Sequence, residues 1–235
     1  MRFVVERSLF QHFPGLAIGV VVGHNLGPAD NPERIAALLA GAEGQLRQDW
    51  SGRPPQQHPR IAPWRRVFQE LGLPGTRYPS SIEALARRAL SGKGLPRIHP
   101  LVDLYNALSL AYQIPMGGHD LGTIAGDIRL GWTRGGEPFQ EMFSEQVEAV
   151  APGEVAYLDD QDILTRHWVW RQGHKDRITP ATRSVFVPID GLPEIGRAAV
   201  DAAAAEMAGQ LQAFFGATVR VGCATEEQPV VELGG

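Results

Sequence analysis

Met116-Gly-Gly118 runs directly into His119 and Asp120, so two backbone amides without side chains lie next to an imidazole and a carboxylate. Glycine lets the backbone approach a ligand closely, and adjacent N–H groups in such a turn can form an anion-binding nest. His119 could then position or deprotonate a water beside a polarised carbonyl. Taken by itself, the simpler account is a Gly-Gly turn whose polar side chains stabilise the loop. A second candidate is Arg166-His-Trp-Val-Trp-Arg171. Read as a strand, it sets Arg166, Trp168 and Trp170 on one face and His167, Val169 and Arg171 on the other. An arginine beside indole rings suits phosphate contact with base stacking. A core tryptophan pair covered by an arginine stem accounts for the same residues equally well.

The elements that must hold these groups are legible from caps and periodicity. Strands are expected at Phe3–Glu6 and Leu16–Val22, separated by Phe13-Pro-Gly15. Asn31-Pro32 starts a helix running to about Asp49, with Ile35, Leu38, Leu39 and Leu46 on its buried side. A Gly/Pro/Gln-rich loop follows over 51–59, then a helix carrying Trp64, Val67, Phe68 and Leu71. Ser80-Ser-Ile-Glu83 is a capping-box signature for the next helix. Leu101, Leu104, Leu108 and Ala111 place a helix at 101–112, with Asp103 and Asn106 three apart on its other face. Beyond Pro115 the pattern turns to strands at 127–132, 154–158, 163–170 and 184–189. An Ala-rich helix at 193–215 and a strand at 218–223 complete the chain. Helices in the first half and mainly antiparallel strands in the second predict an α+β fold, read as one compact domain over 1–235.

Several chemistries find no support in the sequence. There is no His-Glu-x-x-His, the seven histidines show no ligand spacing, and Gly92-Lys-Gly94 lacks the flanking residues of a phosphate loop. No Gly-x-Ser-x-Gly elbow occurs. Neither a metal nor a cofactor is expected. No apolar run approaches the roughly 20 residues that span a bilayer, and the single Cys223 cannot form an internal disulfide. A cytoplasmic protein without a membrane partner is the plain expectation, and nothing in the sequence speaks to oligomeric state.

The net charge of −4 argues against a general nucleic-acid coat, but the charges are unevenly spread. Residues 60–97 hold eight basic groups against two acids, and 166–189 hold five against Asp176, whereas 98–165 carry eleven acids and only Arg129 and Arg134. On one face the two basic stretches would attract phosphate; as solvated helix faces they would carry no function.

Read in order, Pro100-Leu-Val-Asp-Leu-Tyr-Asn106, Pro115-Met-Gly-Gly-His-Asp-Leu121, Arg166-His-Trp-Val-Trp-Arg171 and Ile178-Thr-Pro-Ala-Thr-Arg183 resemble one family module. It is the central module, the third and fourth domains, of the phenylalanyl-tRNA synthetase β subunit. Val102-Asp-Leu-Tyr-Asn106 is similar to its Val-Asp-x-Thr-Asn pattern, with Tyr105 in place of threonine. Pro115-Met116 and Asp120 are similar to its Pro-Leu/Met-His-x-x-Asp loop, and Gly126–Arg129 and Gly153–Asp159 to its following strand and hairpin. Gly117-Gly-His-Asp120 and the Arg-x-Trp-x-Trp-Arg-Gln run ending at Gln172 resemble the free-standing members most. There His119 stands where an aromatic is usual, and Gly117 stands where bacterial synthetases carry their editing histidine.

The resemblance implies the fold of that editing module and an RNA partner, the tRNA acceptor end or an aminoacyl-tRNA, with no DNA. It also implies a trans-acting deacylase of mischarged tRNA rather than a ligase. On this reading His119 and Arg166 are the catalytic candidates. Asp103, Asn106, Met116, Gly117, Gly118, Asp120, Trp168, Arg171 and Thr182 would contact or orient substrate. A non-catalytic tRNA-binding module and a protein that binds or hydrolyses small amino-acid derivatives are the alternatives.

Overall fold

The first strand, β1 (Arg2–Val5), is followed by a short helix α1 (Arg7–His12) that sequence periodicity did not predict, and then by β2 (Ala17–His24). Four helices come next: α2 (Pro32–Asp49), α3 (Ala62–Glu70), α4 (Ser81–Leu90) and α5 (Pro100–Tyr112). The β-rich half holds β3 (His119–Asp120), β4 (Ile128–Trp132), β5 (Pro138–Gln140), β6 (Val147–Ala149), β7 (Val155–Leu158), β8 (Ile163–Arg166), β9 (Arg171–Gln172) and β10 (Ser184–Gly191). Helix α6 (Arg197–Phe215), β11 (Thr218–Ala224) and β12 (Val230–Glu232) close the chain. The computed structural model describes residues 1–50, 52–74 and 76–234; Ser51, where the expected 51–59 loop begins, lies outside them. No helix among the described residues is long and apolar enough to cross a membrane.

The expected caps form. Asn31 takes the left-handed conformation (φ 53°) and its side chain accepts from the Arg34 amide, so α2 starts where predicted. Ser80 caps α4, but Glu83 does not reach back to it; its carboxylate holds Arg65 and Arg87 instead. Pairing of the buried Glu83 carboxylate with two arginines therefore replaces half of the capping box. Leu38, expected inside, is 38% exposed, because the buried stripe of α2 runs through Ile35, Leu39, Glu43 and Leu46.

The fold is α+β, with two main sheets. The larger has strand order β12-β1-β4-β7-β8-β9 and the other β11-β2-β10-β3; every ladder is antiparallel except β1–β4. The sheets share one core: the Phe3 ring of β1 lies 5.0 Å from Phe186 of β10 and 5.9 Å from Tyr157 of β7. Helix α6 packs on the second sheet so closely that a Cβ on Gly19 would lie 2.8 Å from Val200. The glycine is what permits this approach.

The strand expected over 163–170 is the one substantial departure. β8 ends at Arg166, and His167 (φ 46°) and Trp168 (φ 63°) both adopt the left-handed region before β9 begins. Two successive non-glycine residues there cost free energy and are held by their surroundings. The Trp168 amide donates to Val155 O at 2.7 Å, and the Ser81 amide donates to Val169 O at 2.7 Å. Strand alternation is lost, so Trp168 turns into the core while Arg166 stays on β8.

Candidate functional site

Between α4–α5 and the β-rich half lies a cavity of about 590 Å³. Asn106, Met116, Gly117, His119, Trp168 and Arg171 of the candidates named above line it, joined by Tyr105, Tyr157, Gln172 and Asp190.

His119 sits on its floor because β3, only two residues long, pairs with β10 and sets His119 opposite Phe186. The imidazole is buried (3% exposed), with the rings of Tyr157 and Phe186 each 5.6 Å away. Its Nδ1 is hydrogen-bonded to Oδ2 of Asp176, a fully buried carboxylate. The Asp176 carbonyl also accepts from the Asp120 amide at 2.9 Å. Gln172 Nε2 donates to Asp176 Oδ2 at 3.1 Å and to Gly118 O at 2.8 Å, which ties β9 to the β3 loop. When the neutral ring donates from Nδ1 to the carboxylate, Nε2 carries the free lone pair. An imidazole oriented by a buried aspartate is the arrangement of a general base.

The two glycines differ in what they permit. A Cβ on Gly118 would come 2.7 Å from Cε1 of Tyr105, so this position must be bare. A Cβ on Gly117 would meet nothing within 4 Å, so the backbone at 117 opens onto the cavity. Tyr105 is buried, and burial together with the Asp176 and Asp103 charges pushes its phenol upward, keeping it a neutral donor.

Asp190 is the second acid of the floor. Its Oδ1 accepts from the Tyr157 hydroxyl at 2.7 Å and from the Trp168 indole at 2.8 Å. Burial raises its carboxyl to about 6, against the opposing hydrogen bonds from Tyr157 and Trp168 and the His119 charge. Trp168 is itself a core residue, 5.1 Å from Trp64 and 5.3 Å from Phe13, and it also lines the cavity.

Of the remaining sequence candidates, only Arg171 borders the cavity. Arg166, expected to stabilise an oxyanion, is outside the cavity lining. It forms a bidentate pair with Glu154 (3.0 and 2.8 Å) and a further bond to Glu148 (2.8 Å), so its donors are spent on carboxylates. Asp120 and Thr182 form a structural latch: Thr182 Oγ1 donates to Asp120 Oδ2 at 2.6 Å, and Asp120 Oδ1 accepts from the Gly122 amide at 2.9 Å. Asp103 accepts from the Ile98 amide at 3.3 Å and steadies the entry to α5. Arg171 lines the mouth, with its guanidinium 4.5 Å from the Trp170 ring and paired with Glu141.

The basic stretches are only partly neutralised: among the described residues Arg60, Arg77, Lys93, Arg97 and Arg183 form no ion pair, while others do. Arg65 and Arg87 meet Glu83, Arg66 meets Glu194, and Lys175 meets Asp159 and Asp162. Of the arginines at the cavity, Arg88 donates to Gly94 O at 2.8 Å and Arg177 bonds His174, and neither has a carboxylate partner. No group of three or more His, Cys, Asp or Glu side chains that could hold a metal occurs among the described residues.

Sequence reasoning missed Asp176, Asp190, Tyr157 and Gln172 as site residues. Asp190 had a signal: a carboxylate closing the apolar run Val185-Phe-Val-Pro-Ile189 has to be satisfied inside the fold. Asp176 had none, being one acid among five bases.

Fold and site together define an α+β domain with a His–Asp pair on the floor of a cavity between its helical and β-rich halves. The B3/4 domain family profile matches residues 63–208, and the chain belongs to that family, which relates it to the β subunit of phenylalanyl-tRNA synthetase. Among solved structures, an N-terminal fragment of the phenylalanyl-tRNA synthetase β subunit from Pyrococcus horikoshii is similar at 13% identity and a TM-score of 0.49. That match covers 93% of this chain and 49% of the fragment, so the chain spans about half the fragment's length. No curated protein matches the chain.

Proposed function

We propose that the chain hydrolyses mischarged aminoacyl-tRNA in trans, cleaving the ester between the amino acid and the terminal ribose as part of cytoplasmic translation quality control. It would correspond to the third and fourth domains of the synthetase β subunit and work as one unit over 1–235, since both halves line the cavity. The observation that carries the reading is His119 held by Asp176 on the lining of the cavity, in a member of the B3/4 family.

Nε2 of His119 takes a proton from a water, whose oxygen attacks the ester carbonyl. The tetrahedral intermediate then collapses, and His119 returns the proton to the departing ribose oxygen. A free amino acid and a 3′-terminal hydroxyl result. Asp176 keeps the ring in the required tautomer and stabilises its charged form. The open Gly117 backbone is the candidate donor to the oxyanion, in place of Arg166. Asn106 and the Trp170–Arg171 edge would orient the aminoacyl end, with Arg88 and Arg177 free of carboxylates to meet phosphate.

Incubation with a panel of mischarged tRNAs tests the proposal. Hydrolysis of at least one pair is expected, falling by about 10²–10⁴-fold in His119→Ala. Background rates for every pair would overturn it. The pairing of Arg65, Arg66, Arg166 and Arg171 with neighbouring acids favours a second reading, in which the ligand is a small amino-acid derivative without a tRNA body. That reading predicts turnover of free amino-acid esters and indifference to added tRNA.

A further inference from the structure

Asp190 plays no part in the His119 chemistry, yet it occupies the same floor. It lies one residue before the end of β10, on the face shared with Pro188 and Phe186, it is 2% exposed, and it lines the cavity. Both of its side-chain hydrogen bonds go to one oxygen: Tyr157 and Trp168 converge on Oδ1, and no described group donates to Oδ2. Oδ2 is not one of the fully enclosed unpaired atoms, so it borders the cavity space. Its hydrogen-bond donors are neutral, and no Lys or Arg forms an ion pair with it. A carboxylate held in an aromatic setting by neutral donors, with one oxygen open, has no cation hydrogen-bonded to it, the His119 ring acting on it only through space. No group of side chains that could hold a metal occurs here among the described residues. An organic ammonium group fits better, since it can donate to Oδ2 while bordering the Tyr157 side of the cavity lining.

We propose that Asp190 binds the α-ammonium group of the ligand, so that the substrate class is aminoacyl compounds with a free α-amino group, and N-blocked or peptidyl esters are refused. The inference rests on the cavity being an aminoacyl-ester site, and it names the recognition element of that site. Tyr157 fixes the spacing: its hydroxyl binds Asp190 while its ring packs 5.6 Å from His119. An ammonium on Asp190 leaves the adjacent ester carbonyl over Tyr157, on the side of the base. The amino-acid side chain then meets the apolar wall of Val102, Met116, Val169 and Ile178. Acylating the amine removes its charge and two of its donors, so the penalty falls on Oδ2 alone.

Calorimetric titration of the full chain with a panel of L-amino-acid amides, each paired with its N-acetyl and desamino counterparts, decides the matter. At least one amide is expected to bind, with both counterparts weaker by about tenfold or more. Asp190→Asn keeps an acceptor for Tyr157 and Trp168 and is expected to abolish that preference. Failure of every amide to bind would overturn the proposal, as would equal binding of the N-acetyl forms or a preference retained in Asp190→Asn. If the variant does not fold, the wild-type comparison decides alone. Amine preference without deacylation of any tRNA would keep the ammonium site and remove the hydrolase. Deacylation of N-acetylaminoacyl-tRNA as fast as of aminoacyl-tRNA would do the reverse.

Discussion

The Tyr157 hydroxyl donates to Asp190 Oδ1 at 2.7 Å, and the ring of the same residue lies 5.6 Å from the ring of His119. One buried side chain on β7 thus sets the interval between a candidate base and a candidate ammonium receptor. Because Tyr157 is fully buried and burial holds its phenol well above the usual range, it acts as a fixed neutral spacer.

The two glycines of the cavity loop should respond oppositely to alanine. Gly118→Ala places a methyl 2.7 Å from a ring buried on α5, which should cost about 1–3 kcal/mol in urea unfolding and reduce activity as Tyr105 is displaced. Gly117→Ala meets open space and should stay within about 0.5 kcal/mol of the parent. Equal effects at the two positions would mean that the loop is not held against Tyr105.

Arg166→Ala should lower stability rather than chemistry. It leaves the carboxylate of Glu154, 7% exposed, with only the His167 amide and ring beside it, at a cost of about 1–3 kcal/mol. The single-turnover rate of the folded fraction should change by less than about threefold, well under the loss expected for a group acting in the transition state. A large rate loss with unchanged Tm would place the guanidinium in the reaction.

Asp190 should leave a pH signature on stability. Its folded carboxyl lies near 6, above the ordinary value of 3.8, because burial disfavours the charged form. The native state therefore holds this proton more tightly than the unfolded chain does. The stabilisation is complete below about pH 4 and is lost as pH rises to about 6. Burial outweighs the opposing hydrogen bonds from Tyr157 and Trp168 and the His119 charge. Asp190→Asn carries no such proton. Measured by denaturant unfolding, its stability relative to wild type should rise across that window by on the order of 3 kcal/mol, at about 1.4 kcal/mol per unit. A difference that does not vary with pH would refute this.

Phe143 should separate a tRNA ligand from a small one. It is 92% exposed with φ 72°, at the cavity mouth beside Met142. Base stacking on such a ring contributes about 1–3 kcal/mol, so Phe143→Ala should weaken tRNA binding by about tenfold or more. Thermal stability and amide binding should be unaffected. Unchanged tRNA affinity would argue that the acceptor end does not enter here.

The sequence by itself determined the local elements and the kinship. Asn31 and Ser80 announce their helices because a cap is an interaction over three residues. The α5 stripe and the strand pattern beyond Pro115 follow from periodicity, and the ordered motifs from Val102 to Thr182 carry the family resemblance. The tertiary structure decided which residues share the cavity. His119 meets Asp176 across 57 positions and Tyr157 meets Asp190 across 33, so both pairs depend on tertiary packing rather than on spacing: Asp176 sits in a turn after β9, and Tyr157 and Asp190 come from different sheets. Arg166 and Trp168 part company because the left-handed turn at His167 and Trp168, held by Val155 and Ser81, breaks the alternation a strand would have kept. Local propensity cannot report such a turn, since its cost is met by contacts made only once the sheets and α4 have assembled.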